Sequence, residues 1–221
     1  MLKKEIRSVV FDLDGTLMKS DSTIYKSTVQ ALKAFNIDTD LPETEFVSKI
    51  GYHFKDIFEH LNITVSNLDE FIEVYRSFYF DYIEDTIIYP DIVETLAHLR
   101  EMNILVSLLT TKMQEQADRI LDYFGLEKYF AIVFGRRKGV PIKPAPDQLL
   151  SICRETGIPP ESTLMVGDSE LDIQCGRNAG TKTCAVTYGY RTKDFLRTEK
   201  PDYLISDIKE LLLILNKKSE I

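Results

Sequence analysis

Short apolar runs rich in β-branched residues recur along this chain, separated by stretches whose apolar positions fall at helical spacing. Ser8-Val9-Val10-Phe11 is the first run. Residues 104–109, 131–134, 163–166 and 183–186 follow, and 203–205 reads as an edge strand. Between them, residues 92–102, 114–124, 147–156 and 171–179 carry the helical period, and 207–215 reads as a closing helix. Apolar strands that alternate with helices predict an α/β fold in which a parallel sheet is covered on both faces.

The alternation breaks once. From residue 17 to residue 89 no convincing buried strand occurs, and the segment reads as a separate helical unit. Its clearest helix places Phe71, Val74, Tyr75, Phe78 and Tyr82 at three- and four-residue spacing, an aromatic stripe suited to the core of a small bundle. Residues 1–16 and 90–221 then form the sheet domain and residues 17–89 an inserted cap. An insertion directly after the first strand is expected over the C-terminal strand ends, where open α/β sheets bind ligands.

Composition narrows the function. The net charge of −8 disfavours a general attraction to nucleic acid or an anionic membrane surface. Cys153, Cys175 and Cys184 are odd in number, lack CxxC spacing and have no neighbouring His, so they read as reduced core thiols. The start of the chain leads straight into a strand, and the longest late apolar run, residues 211–215, is far too short to span a bilayer. A cytoplasmic protein is expected.

Candidate chemistry begins at Asp12-Leu13-Asp14-Gly15-Thr16, where the first strand ends. Two carboxylates so close together call for a cation between them, and Gly15 lets the backbone turn sharply beside a ligand. Further polar signals fall where other strands should end. Leu109 is followed by Thr110-Thr111-Lys112, Lys143 precedes a helix start, and Gly167-Asp168-Ser169-Glu170-Leu171-Asp172 leaves a strand on two more carboxylates. Each alone reads as a helix cap or a solvated charge. Their joint placement at strand ends instead describes one site.

Asp12-Leu13-Asp14-Gly15-Thr16, Thr110, Lys143 and the 167–172 segment together resemble, in order, the four motifs of the haloacid dehalogenase superfamily. The resemblance covers nearly the whole chain. Lys143-Pro144-Ala145-Pro146-Asp147 and Gly176-Arg177-Asn178-Ala179-Gly180 are similar to the phosphoglycolate phosphatase-like branch, which carries a helical cap. One departure is Asp91, where that branch commonly has Gly after the Pro.

The resemblance implies a Rossmann-like core and a magnesium-dependent phosphatase acting on a small phosphorylated metabolite. Asp12, Asp168 and Asp14, the last through its backbone carbonyl, would hold Mg2+, with Asp172 and Ser169 supporting them. Asp12 would be the nucleophile and Asp14 the general acid and base, a division that calls for surroundings raising Asp14 relative to Asp12. Thr110, Thr111 and Lys143 would hold the transferring phosphoryl group. In the cap, Tyr52 and His53 are candidates to meet the rest of the substrate, although a solvated loop explains them too; Arg136-Arg137-Lys138 reads as a surface charge run. A sugar phosphomutase or a non-catalytic binding module on the same fold are the alternatives. The substrate and the oligomeric state are left open.

Overall fold

The computed structural model describes residues 5–216. In chain order the strands are β1 (Ser8–Phe11), β2 (Met18–Lys19), β3 (Ile87–Ile88), β4 (Leu105–Met113), β5 (Ile132–Arg136), β6 (Thr163–Gly167), β7 (Lys182–Val186) and β8 (Tyr203–Ile205). The α-helices are α1 (Asp21–Ala34), α2 (Glu43–Val47), α3 (Phe54–His60), α4 (Leu68–Tyr79), α5 (Ile92–Glu101), α6 (Gln114–Tyr123), α7 (Asp147–Thr156), α8 (Glu170–Ala179), α9 (Lys193–Thr198) and α10 (Glu210–Asn216). The chain divides into two compact units, one made of Met18–Ile88 and the other of the residues before and after it.

The larger unit is an α/β sheet domain. Its strands run in the order β5-β4-β1-β6-β7-β8, and every neighbouring pair is parallel. From β1 the chain moves outward through β4 to β5, then crosses back to β6 on the other side of β1 and continues to β8. Right-handed crossovers put α5 and α6 on one face, and α7 and α8 on the other. The strand order reverses at β1, so the C-terminal ends of β4, β1 and β6 frame the switch point at which such sheets bind ligands.

These strands read as apolar runs because helices cover both of their faces. Val9, Val10 and Phe11 are completely buried, as are Leu164 and Val166. Val10, Leu109, Phe134 and Met165 pack with Leu149, Ile152, Cys175 and Ala179 in one cluster between the sheet and α7 and α8. Complete burial of a side chain such as Leu149 or Ile152 contributes about 1.5–3 kcal/mol. All three cysteines are free and buried, and burial pushes the Cys175 thiol up to about 12. No helix among the described residues is long and apolar enough to cross a membrane.

Two local features depart from the sequence pattern. Strand β4 does not stop at Leu109: it continues to Met113 through a register shift in which Leu109 pairs with Phe134 and Met113 with Arg136. The two extra residues on β4 make a bulge over Thr110-Thr111-Lys112, and bulges re-aim side chains beside active sites. Asp91 adopts the left-handed conformation (φ 63°) at the start of α5, as the expected Gly would, and its carboxylate pairs with Lys209 at 2.8 Å. Asp tolerates that conformation better than most residues, which explains the departure.

The smaller unit is helical, with a short antiparallel ribbon in which Met18 pairs with Ile88 and Lys19 with Ile87. Two-residue strands leave no periodicity to read. In α4 the buried positions are Phe71, Tyr75 and Tyr79, one helical turn apart. Val74 and Phe78 flank this face, and the α-helix ends before Tyr82, which lies in a 3₁₀ turn. Phe54 packs edge-to-face on Phe71 and Tyr75 at centroid distances of 5.4 and 4.8 Å, so the stripe is bundle core, as its spacing implies.

Candidate active site

The chemical groups come from the C-terminal ends of β1, β4 and β6 and from the segments that follow the strands. Asp12 follows β1, and its N–H still bonds to the Val166 carbonyl of β6 at 2.9 Å. The chain then turns, with the Thr16 and Leu17 N–H groups both donating to the Leu13 carbonyl. Gly15 takes φ +82° in this turn, and a Cβ there would lie 2.3 Å from Asp168 Oδ2. Sterics and backbone conformation thus both require glycine.

Lys143 binds the cluster together. Its Nζ lies 2.7 Å from Asp12 Oδ1 and 2.6 Å from Asp172 Oδ1, and it donates to the Leu109 carbonyl at 3.1 Å. These contacts use all three ammonium donors. Burial alone would lower the Lys143 pKa, but the Asp12 and Asp172 charges outweigh it and raise the pKa, so Lys143 stays charged.

Asp168 receives the Tyr190 N–H on Oδ2 at 2.7 Å and the Thr16 hydroxyl on Oδ1 at 3.3 Å. Asp172 caps α8: its Oδ2 accepts the Ser169 N–H at 3.1 Å and the Ser169 hydroxyl at 2.6 Å. A Cβ on Gly167 would run into the Asp172 carboxyl. Thr110 is buried, and its Oγ1 accepts the Lys112 N–H at 3.2 Å; Thr111 beside it is half-buried. Asp14 is held by Lys112, whose Nζ lies 3.1 Å from Asp14 Oδ2.

Electrostatics separates the carboxylates. Burial raises the Asp12 pKa well above the ordinary carboxylate value, Asp172, Asp168 and Asp14 add to the rise, and Lys143 opposes it. Asp168 is pushed up to about 7, first by burial and then by the Asp172 charge, against the Tyr190 N–H, Arg191 and Lys143.

One oxygen each from Asp12, Asp168 and Asp172 lies within 4.8 Å of the others. Such a buried set of hard donors, two of them with raised pKa, suits a divalent cation that prefers oxygen and favours the ionised forms. The Asp14 carboxylate is not in this trio, since Lys112 holds it.

Asp12, Asp14, Thr110, Lys143, Asp168, Ser169 and Asp172 thus converge in the sheet domain, with Thr111 on the same bulge. Tyr52 and His53 belong to the smaller unit, where His53 caps α3 by accepting the Lys55 N–H on Nδ1 at 3.1 Å. Arg137 lies over the Phe134 ring at 4.3 Å and donates to Gln114, a packing contact rather than a member of the cluster.

Two parts of the site went unassigned in the sequence. Lys112 belongs to the polar segment after Leu109 but carries no role of its own in the sequence reading. The loop after β7, Tyr188-Gly189-Tyr190-Arg191, closes around Asp168: the Tyr188 hydroxyl donates to the Thr16 carbonyl at 3.0 Å, and Arg191 pairs with buried Glu170 at 2.8 Å. A glycine between two tyrosines at a strand's C-terminal end was its signal.

A family model described as haloacid dehalogenase-like hydrolase matches residues 9–186. Proteins named pyrophosphatase PpaX are 32% identical in Bacillus anthracis, covering 96% of this chain and 97% of theirs, and 31% identical in Halalkalibacterium halodurans, covering 97% and 99%. A crystal structure described as a predicted phosphoglycolate phosphatase from Haemophilus somnus superposes with a TM-score of 0.82 at 29% identity, covering 96% of this chain and 98% of that one. The chain belongs to the haloacid dehalogenase-like hydrolase family.

Proposed function

We propose that this chain is a magnesium-dependent phosphatase that uses Asp12 as a covalent nucleophile on a small phosphorylated metabolite. The observation that carries the reading is the placement of Asp12: 2.7 Å from the buried Lys143 ammonium and within the trio of carboxylate oxygens suited to a divalent cation. Asp12, Asp168 and the Asp14 carbonyl would hold magnesium, which would supply the positive charge that lets an anionic nucleophile meet an anionic phosphoryl group.

A carboxylate oxygen of Asp12 attacks phosphorus and displaces the leaving oxygen, which takes a proton from Asp14. Asp14 then removes a proton from water, the resulting hydroxide attacks the same phosphorus, and phosphate departs with Asp12 restored. Thr110 binds the transferring oxygens, and the fixed Lys143 charge beside Asp12 offsets theirs. Thr111 lies next to Thr110 to assist, while Asp172 and Ser169 keep Lys143 and the start of α8 in place. Tyr52 and His53 are the cap residues proposed to meet the remainder of the substrate. The names of the relatives favour pyrophosphate and phosphoglycolate as the first substrates to assay. A cytoplasmic enzyme without nucleic acid or membrane partners fits the acidic charge and the reduced thiols.

Rapid-quench labelling followed by peptide mass spectrometry tests the mechanism. An activated aryl phosphate with Mg2+ should leave phosphate on Asp12, release inorganic phosphate in steady state, and do neither in Asp12→Asn. Label on another residue, or an Asp12→Asn variant with most of its turnover, overturns the covalent mechanism. Transfer to a sugar hydroxyl without free phosphate identifies a mutase instead.

A further inference from the structure

We propose that Lys112 is a positioning residue for the reaction, holding the Asp14 carboxylate in the orientation that proton transfer requires. The inference rests on the assignment of Asp14 as general acid and base.

Three observations carry it. Lys112 Nζ lies 3.1 Å from Asp14 Oδ2, and both side chains are more than nine-tenths buried. A buried ion pair is commonly no more stabilising than an apolar pair of similar volume, so this one is weakly explained by stability alone and better explained by the geometry it fixes. Lys143 cannot take its place, because its three donors already go to Asp12, Asp172 and the Leu109 carbonyl. The two acids of the Asp12-Leu13-Asp14 pair therefore contact different lysines.

The third observation is where Lys112 comes from. The register shift in β4 inserts Thr110-Thr111-Lys112, and the Lys112 N–H bonds back to Thr110 Oγ1 at 3.2 Å. One short bulge thus offers Thr110 to the phosphoryl oxygens and at the same time reaches Asp14 on the neighbouring strand's loop. A carboxylate that first gives and then takes a proton must keep one oxygen on the reacting atoms through both steps, and tethering Oδ2 sets the plane of the group.

The test compares Lys112→Met, Lys112→Arg, Asp14→Asn and the Lys112→Met/Asp14→Asn double variant on para-nitrophenyl phosphate with Mg2+. Lys112→Met should lower steady-state kcat by about 10- to 100-fold, the scale of a displaced catalytic group. KM should fall together with kcat, leaving kcat/KM and inhibition by inorganic phosphate within about twofold, since substrate binding and the first chemical step are untouched. The first turnover should remain as a burst of nitrophenol, because that leaving group needs little protonation, while phosphate accumulates on Asp12. Lys112→Arg should recover part of kcat. In the Asp14→Asn background, Lys112→Met should cost nothing further.

An unchanged kcat in Lys112→Met overturns the inference, as does a loss of the same factor in wild type and in Asp14→Asn. If Asp14→Asn is itself fully active, the acid–base assignment falls and the inference falls with it. An impaired Asp14→Asn with independent Lys112 losses sinks the Lys112 role alone. Should Lys112→Met melt too low to assay, Lys112→Gln carries the same comparison.

Discussion

Asp168 makes a quantitative prediction about stability. Its pKa is about 7 in the folded chain against an ordinary 3.8, chiefly because burial disfavours the charged form. In protein stripped with EDTA, a group raised on folding contributes stability that is fully present below about pH 4, falls as pH rises and is gone above about pH 7. The gap is roughly three units, and each unit is worth about 1.4 kcal/mol, so the contribution is about 4 kcal/mol. For a chain of this length that corresponds to a melting temperature about 8–16 °C lower at pH 8 than at pH 4 from this group alone. Other groups titrate over the same interval, so the decisive quantity is the difference between wild type and Asp168→Asn. The amide cannot ionise, and its melting curve should lack this part of the slope.

Thermal melts by circular dichroism in EDTA, at half-unit steps from pH 4 to 8, read it directly. If the site holds magnesium as proposed, the ion would bind the ionised carboxylate in competition with protons, so its stabilisation should grow with pH and reach about 3 kcal/mol at a hundredfold excess over its dissociation constant. In Asp168→Asn that gain should shrink. Equal pH slopes in the two proteins, or an equal magnesium gain, would refute the reasoning, because burial of Asp168 would then have no thermodynamic consequence.

Gly15→Ala should abolish turnover and weaken Mg2+ binding measured by calorimetry, because its Cβ would meet Asp168 at 2.3 Å in a backbone conformation alanine resists; normal magnesium affinity would contradict this. His53→Ala should cost about 1 kcal/mol in urea unfolding as a lost helix cap. If His53 and Tyr52 also meet the substrate, His53→Ala and Tyr52→Ala will change the ranking of pyrophosphate against phosphoglycolate, and an unchanged ranking assigns them to structure alone.

Much of the fold was legible because its boundaries are chemical. Strand β1 ends where its apolar run meets Asp12, and α7 spans 147–156 because Pro146 precedes it and Gly157, at φ +68°, stops it. Boundaries blurred where polar residues serve the fold. The last helix was expected from residue 207 but begins at Glu210, whose carboxylate takes up the Ser206 and Asp207 N–H groups. Strand β4 ran past its last apolar residue through Thr110, Thr111 and Lys112, since a bulge has no hydrophobic signature.

The site was legible for a topological reason. A parallel sheet brings the ends of β1, β4 and β6 to one edge, so polar residues at those ends must be neighbours even when they are more than 150 positions apart, as Thr16 and Asp168 are. Lys112 could not be found this way. It lies on the same edge, but a lysine after two threonines has the composition of an ordinary exposed turn, and only its distance to Asp14 distinguishes it.

That distance bears on how two identical side chains separated by Leu13 come to do different work. Four carboxylates, Asp12, Asp14, Asp168 and Asp172, face two lysines, an excess of two negative charges that one divalent cation balances. Asp12 shares Lys143 with Asp172 and contributes one of the three clustered carboxylate oxygens, so a dication bound there would reverse the forces that raise its pKa and keep it ionised. Asp14 stands apart from those oxygens, its carboxylate on Lys112, which under the proposed mechanism leaves it available for proton transfer. Under the proposed mechanism the two roles follow from which segment supplies the lysine: the bulge of β4 takes Asp14, and the loop ahead of α7 takes Asp12.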